Sequence, residues 1–255
     1  NKVRSGLTML GIIIGISSVI AMVSIGQGAQ GSIQSSIQSI GSNLIIVSPG
    51  VQRGPGSQVS GGQGSARSLT QEDADAIAEE VALASAVSPE LSGRYQVISR
   101  GKNTNTSVLG STPKYPIVRN VEMDEGNFIT DQNLRSLSKV AVIGPTVKTD
   151  LFGDETDAIG QTLRIKGIEF KVIGVTKAKG GTGFSNQDDM IFIPLTSAQK
   201  FLAGDNYVTS ISVQAQDSES MSAVQQNITD LLLERHNIKD PALADFSTFN
   251  QADIV

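Results

Sequence analysis

The sequence predicts an α+β fold behind a single N-terminal transmembrane helix. Three observations lead there. Leu7 to Ile25 is a run of 19 residues without a charge. Residues 97 to 201 read mainly as short strands parted by Gly, Pro and Asp turns. Strand and helix patterns flank that β-rich stretch on both sides. The arrangement implies an outer α/β subdomain, discontinuous in sequence, with a β-rich subdomain inserted into it. The expected segments are 1–41 (helix and stalk), 42–96 and 205–255 (outer subdomain), and 97–204 (insert).

The apolar run comes first. A helix rises about 1.5 Å per residue, so 19 residues cover about 28 Å, close to the thickness of a bilayer's hydrocarbon core. A signal peptide has an apolar region of about 7–15 residues and a small-x-small cleavage site. This run is longer, and no A-x-A follows it closely. A buried soluble helix of this length would carry a polar face, whereas here only scattered Ser, Thr and Gly interrupt the apolar residues. A membrane span therefore fits better than either alternative. Lys2 and Arg4 precede the span, and Gly26 to Ser48 carries no charge. The positive-inside rule then puts the N-terminus in the cytoplasm and the chain after about Gly26 outside. Gly11 and Gly15 form a GxxxG, which lets a neighbouring helix approach closely. Beyond the span, Ile33, Ile37 and Ile40 recur at helical spacing among polar residues, which predicts a stalk continuing to a cap at Gly41.

The remaining elements follow in order. Asn43 to Ser48 reads as a strand ended by Pro49-Gly50. Arg53 to Ser68 is Gly/Ser-rich and reads as a flexible loop without a phosphate-binding pattern. Thr70 caps a helix, with Asp73 completing a capping box. Strands are expected at 94–100, 106–110 and 139–144, then a short helix in TVKTDLFG. Residues 162–175 alternate around Lys166-Gly167 and predict a hairpin. A strand at 190–194, a short helix from Thr196, a strand at 208–214, a helix at 218–235 and a strand at 246–249 complete the chain. Met221, Val224, Ile228, Leu231 and Leu232 supply the apolar face of that last helix.

Composition excludes several function classes. The chain has 255 residues, a net charge of −5, aromatics at 4%, no Trp and no Cys. It lacks the basic footprint of a nucleic-acid binder, and it lacks thiols for disulfides, catalysis or metal ligation. Its single histidine, His236, reads as a solvated residue near a helix end. One histidine leaves zinc without ligands and an exported hydrolase without a convincing nucleophile–base pair. Asp124-Glu125 and Asp188-Asp189 are paired carboxylates that read as solvated turn residues. Lys177 and Lys179, followed by glycines, read as a mobile loop tip rather than an anion site. No catalytic, cofactor or metal residue is assigned. The absence of Met at position 1 predicts a processed form or a portion of a longer protein.

These residues resemble a known family. RSGLTMLGIIIGISSVIAMVSIGQGA followed by IGSNLIIVSPG is similar to the start of MacB/FtsX-like ABC transporter permeases. EGNF (125–128), VAVIGPTVKTDLFG (140–153), IGQTLRI (159–165), FKVIGV (170–175) and DDMIFIPLTSAQKFL (188–202) resemble that family's exterior core domain in order and spacing. The resemblance implies a porter-like outer subdomain and a sabre-like insert, lying between the first two transmembrane helices. It implies a permease dimer in the inner or plasma membrane, with the domain periplasmic or extracellular. A cytoplasmic ATPase subunit or domain would bind ATP, and the stalks would transmit its motion to the exterior, which is called mechanotransmission. It further implies export of a drug, peptide or lipoprotein and, in many members, a separate adaptor protein. The residues alone also allow a membrane-tethered binding or chaperone-like module without ATPase coupling.

Overall fold

The computed structural model describes residues 2–40, 43–50, 67–153, 156–180 and 186–250. The chain divides into two compact units, Asn1–Ile40 and Gly41–Val255. The first is one uninterrupted helix, α1 (Lys2–Ile40). Within it, Met9–Gly28 has a mean hydropathy of 2.3, and none of that window is buried. Large side chains stand exposed all round it, from Ile12 and Ile13 to Met22. No Pro or charge interrupts the run, so nothing in the sequence ends the helix before Gly26. It then continues through the polar residues to Ile40. The side chains of Lys2, Arg4, Ile33, Ile37 and Ile40, the cap expected at Gly41 and the loop at 51–66 lie outside the described residues.

The second unit runs β1 (Leu44–Pro49), α2 (Gln71–Glu80), β2 (Ala84–Ser99), β3 (Lys102–Ser111), α3 (Tyr115–Val118), β4 (Met123–Gly126), α4 (Asp131–Arg135) and β5 (Val140–Ile143). It continues α5 (Pro145–Leu151), β6 (Thr162–Ile165), β7 (Ile168–Thr176), β8 (Met190–Pro194), α6 (Leu195–Ala198), a π turn (Gln199–Ala203), β9 (Ser210–Ala215), α7 (Met221–Arg235) and β10 (Phe246–Asn250). The strands form one ten-stranded sheet in the order β10-β1-β9-β2-β3-β8-β5-β7-β4, and β6 pairs with both β2 and β7.

Those last pairings close a ring. β2 pairs with β3, β3 with β8, β8 with β5, β5 with β7, β7 with β6, and β6 back to β2. The β3–β8 and β5–β7 pairs are parallel, and the others are antiparallel. The closing contact is short, Val97↔Ile165 and Ile98↔Arg164. The β6–β7 turn is Lys166-Gly167, at φ 49° and 83°. Both residues at positive φ match the turn that suits tight hairpins, and glycine tolerates that backbone at no steric cost.

Outside the ring lies an open antiparallel sheet, β10-β1-β9-β2. β2 is long enough to serve both: Ala84 to Glu90 pairs with β9, and Leu91 to Ser99 pairs with β3. The apolar interior divides accordingly. One cluster joins Ile45, Val47, Val87, Ile211, Val213 and Phe246 of the open sheet to Ile77, Val224, Ile228 and Leu232 of the helices α2 and α7. A second fills the ring with Val97, Val108, Ile143, Leu163, Ile165, Phe170, Val172 and Ile191. A third packs Tyr115, Phe128, Ile129 and Phe192 together. The other face of the open sheet is built differently, because strand alternation puts Ser88, Glu90, Ser210 and Ser212 there.

Candidate functional site

The site begins with α1. Gly11 and Gly15 lie on it, and a Cβ added at either would meet nothing within 4 Å. Ser18 Oγ donates to the Gly15 carbonyl at 2.8 Å, which satisfies its hydroxyl within the helix. The window Met9–Gly28 is thus apolar all round and long enough to cross a membrane, with no charged side chain among its residues.

The first polar cluster of the second unit gathers at the N-terminus of α2. Thr70 N–H and Oγ donate to Asp73 Oδ2 at 2.9 and 2.8 Å, and Asp73 N–H donates back to Thr70 Oγ at 3.3 Å. Arg235 Nε donates to Asp73 Oδ1 at 2.9 Å. Next to it His236 ends α7, with Asn237 in the left-handed region at φ 59°. His236 Nε2 stands 3.4 Å from Asp73 Oδ2, and its Nδ1 stands 2.8 Å from Asp245 Oδ1. Burial pushes the Asp73 carboxyl up, but the bonds from Arg235 and Thr70 and the neighbouring His236 outweigh it and hold it below the ordinary value. This cluster ties the end of α7 to the Asp73 carboxylate of α2, and through His236 it reaches Asp245 on the approach to β10.

A second cluster stands where β2 passes from the open sheet to the ring. Glu90 is buried and forked by Arg119, from Nε at 3.2 Å and Nη2 at 3.3 Å. Ser210 Oγ donates to the same carboxylate at 3.4 Å, and Ser212 Oγ donates to its other oxygen. Arg119 caps α3, whose Tyr115 is buried beside the pair. Burial and then the charge of Glu90 push the Tyr115 hydroxyl well above its ordinary value. Burial works against the Arg119 charge, but Glu90 more than compensates and raises its proton affinity.

A cleft of about 670 Å³ opens among Gln71, Glu72, Asp75, Leu137, Thr196 and Lys200. Most of the residues that line it are polar, but the surface they present to it is polar and apolar in equal measure. Burial, and then repulsion from Glu79 and Glu72, push the Asp75 carboxyl up against the opposing pull of Lys114. Among the described residues no group of three or more His, Asp and Glu is placed to hold a metal ion.

Comparison with known proteins identifies this architecture. The family model described as MacB-like periplasmic core domain matches residues 5–231. The chain belongs to the MacB-like periplasmic core domain family. It is 38% identical over 255 residues to the macrolide export ATP-binding/permease protein MacB of Bdellovibrio bacteriovorus, covering 100% of this chain and 39% of that protein. It is 36% identical to the MacB of Chlorobaculum tepidum over 257 residues, 100% of this chain and 38% of that one. The chain therefore spans about two-fifths of these curated relatives. Among solved structures, the periplasmic region of MacB from Actinobacillus actinomycetemcomitans superposes with a TM-score of 0.71 at 21% identity, over 86% of this chain and 93% of that one. The extracellular domain of the noncanonic ABC-type transporter YknZ from Gram-positive bacteria gives 0.65 at 20% identity, over 82% and 100%.

In this MacB-like domain several sequence expectations need correction. His236 does end a helix, but it is not solvated: its side chain is 11% exposed. The approach to β10 and the start of α2 pack over the helix end and supply its two carboxylates. Asp124-Glu125 lies in strand β4 rather than a turn, and Glu125 pairs with Lys148 at 3.0 Å. Asp188 is engaged as well, accepting the backbone N–H groups of Lys179 and Gly180 at 2.9 Å each. Lys179 is no loop tip: its Nζ donates to the Arg119 carbonyl at 2.9 Å. The Glu90–Arg119 pair was missed because its halves lie 29 residues apart, and Arg119 follows a helix of only four residues. The one available signal was a carboxylate in the midst of an apolar strand, in AVSPEL.

Proposed function

We propose that this chain is the membrane-anchored exterior portion of an ABC transporter permease of the mechanotransmission type. α1 crosses the inner or plasma membrane with its N-terminus in the cytoplasm, where Lys2 and Arg4 favour that orientation. An ATPase domain or subunit lies on the same side and holds the ATP. The exterior unit works as one of a pair, with Gly11 and Gly15 as the contact for a neighbouring helix. Ile33, Ile37 and Ile40 line the stalk, and an adaptor protein receives the exported molecule. The porter-like and sabre-like division is part of this reading. Support comes from the relatives named as macrolide export ATP-binding/permease proteins, and the exported molecule in this reading is a drug, peptide or lipoprotein.

The observation that carries the proposal is the unbroken helix from Lys2 to Ile40. The apolar window ends at Gly28, so residues 29–40 extend the rod past it. A helix transmits force along its axis only while its hydrogen-bond ladder is intact. Proline removes a ladder bond and kinks the rod at a cost of about 3 kcal/mol or more. Ser35→Pro with Gln38→Pro, placed in the full-length transporter, is expected to leave membrane insertion and ATP hydrolysis in place and abolish export. ATPase activity and macrolide efflux measured on the same vesicles decide it. Export at the native ratio to ATP hydrolysis would overturn the rod reading.

A further inference from the structure

The shared strand β2 poses a mechanical question. A strand common to an open sheet and a closed ring is a flexible joint unless something fixes the angle between them. Glu90 is the last β2 residue paired with β9, and Leu91 is the first paired with β3. The joint is therefore at Glu90 itself.

Several bonds converge there. The Glu90 carbonyl accepts from Thr209 N–H at 2.7 Å and from Thr209 Oγ at 2.9 Å. Thr209 Oγ in turn accepts from Ser92 N–H at 2.9 Å, on the far side of the joint. The Glu90 side chain takes the Arg119 fork together with the hydroxyls of Ser210 and Ser212. Arg119 reaches further, since its own carbonyl accepts Lys179 Nζ from the segment after β7. One carboxylate of β2 thus binds β9 and the end of α3, and through Arg119 it reaches the segment after β7.

We propose that Glu90 and Arg119 form a clasp that fixes the angle between the open sheet and the ring. Stability alone does not explain a buried pair at this place. Burying two charges costs nearly what their attraction returns, and apolar residues of similar size often serve as well. A planar guanidinium fork on a carboxylate adds direction: it holds only one relative orientation of the groups that carry it. The two serines close the remaining lone pairs, so rotation of the ring about β2 would break several bonds at once. The clasp joins parts of the exterior unit only, and it stands whether or not the transport cycle proposed above is correct.

The chain lacks cysteine, so labelling sites can be introduced without background. Glu80→Cys at the end of α2 and Lys102→Cys at the start of β3 place one spin label on each side of the joint, both exposed. Distances between them are read by pulsed electron spin resonance on the full chain in lipid nanodiscs. The native clasp is expected to give one narrow distribution. Glu90→Leu with Arg119→Leu keeps the site filled and is expected to keep both cores, while the distribution broadens to about twice its native width, because the directional fork that holds one orientation is gone. Arg119→Lys keeps the charge without the fork and is expected to broaden it as well. Ile228→Ala weakens the open-sheet core away from the joint and should lower the melting midpoint without broadening. Native width in Arg119→Lys, or in a folded Leu/Leu variant, overturns the clasp. Equal broadening in Ile228→Ala overturns it too, because width would then merely follow stability. If the Leu/Leu variant does not fold, Arg119→Lys and Ile228→Ala decide the matter.

Discussion

The open sheet and the ring meet on one strand but hide their apolar residues by different means. The sheet β10-β1-β9-β2 buries one face under α2 and α7, so its core depends on two amphipathic helices docking from outside. The ring encloses its own core and has no need of a helical cover on every side. Among the described residues the sheet path ends in β10 on one side and in β4 on the other, and the six ring strands each have a ring neighbour on both sides, although β6 meets β2 at two positions only. The open sheet's polar clusters sit at helix ends and at the joint with the ring, where helices and strands from distant parts of the sequence have to be held. The ring carries polar ties of its own, such as Ser99 Oγ to the Thr162 carbonyl at 2.8 Å and Thr106 Oγ to the Asp189 carbonyl at 2.9 Å, so the difference lies in how each core is covered rather than in whether polar ties are present.

The largest expected effect tests that contrast inside the two cores. Phe170 fills the ring and is fully buried, and Ile228 does the same between α7 and the open sheet. Truncating Phe170 to Ala removes more volume from an enclosure that has little freedom to collapse. A loss of about 3–5 kcal/mol is expected, against about 2–5 kcal/mol for Ile228→Ala. Hydrogen exchange sharpens the comparison. Ile228→Ala should speed exchange chiefly in α7, α2 and β1, whereas Phe170→Ala should speed it throughout the ring strands. If both variants loosen the same amides, the two cores are one cooperative unit.

Which parts were legible in the sequence depends on how local their cause is. α1 declares itself through uncharged length, and the β6–β7 hairpin through Lys166-Gly167 between alternating strands. α7 shows its buried face as Met221, Val224, Ile228 and Leu232. Ring closure was not legible, because it rests on Val97↔Ile165 and its neighbour, a contact across many intervening residues with no local pattern. α3 and α4 were missed since four or five residues are too few to show a helical period. The polar sites failed for a related reason. A carboxylate's surroundings are set by the fold, so Asp73 was readable as a cap but its bonds to Arg235 and His236 were not.

A smaller effect is expected at Asp73, which ties helices on the open-sheet side. Asp73→Asn keeps the shape and part of the cap but removes the charge that Arg235 faces. A loss of about 1–2 kcal/mol near neutral pH is expected, in the range for a cap and a partly exposed ion pair. The sign of its pH dependence is fixed. The Asp73 carboxyl is held below the ordinary value of 3.8 in the folded chain, so the unfolded chain binds the proton more tightly. Its stabilising contribution is therefore present above 3.8 and fades as the pH falls through the lower folded value. Melting midpoints of the native chain should drop over that acid window, and those of Asp73→Asn should drop less. An equal acid slope in both would remove Asp73 from the account.

The smallest effect belongs to the ring's own surface. Lys177 and Glu122 make an ion pair at 2.8 Å, shorter than most contacts in the Glu90 clasp. Distance alone would rank it higher. Both side chains are more than 60% exposed, however, so water and salt screen the attraction, and ordering two long side chains offsets what remains. The bond to Glu122 raises the proton affinity of Lys177, and that to Lys177 lowers that of Glu122, yet both groups stay charged through the neutral range. Beneath the pair, Lys177 N–H donates to the Glu122 carbonyl at 2.9 Å, and any residue but proline retains that bond. Lys177→Ala is therefore expected to leave the melting midpoint unchanged at low and at high salt. A drop that salt abolishes would show that an exposed ion pair, and not the covered core alone, helps hold β4 on the ring.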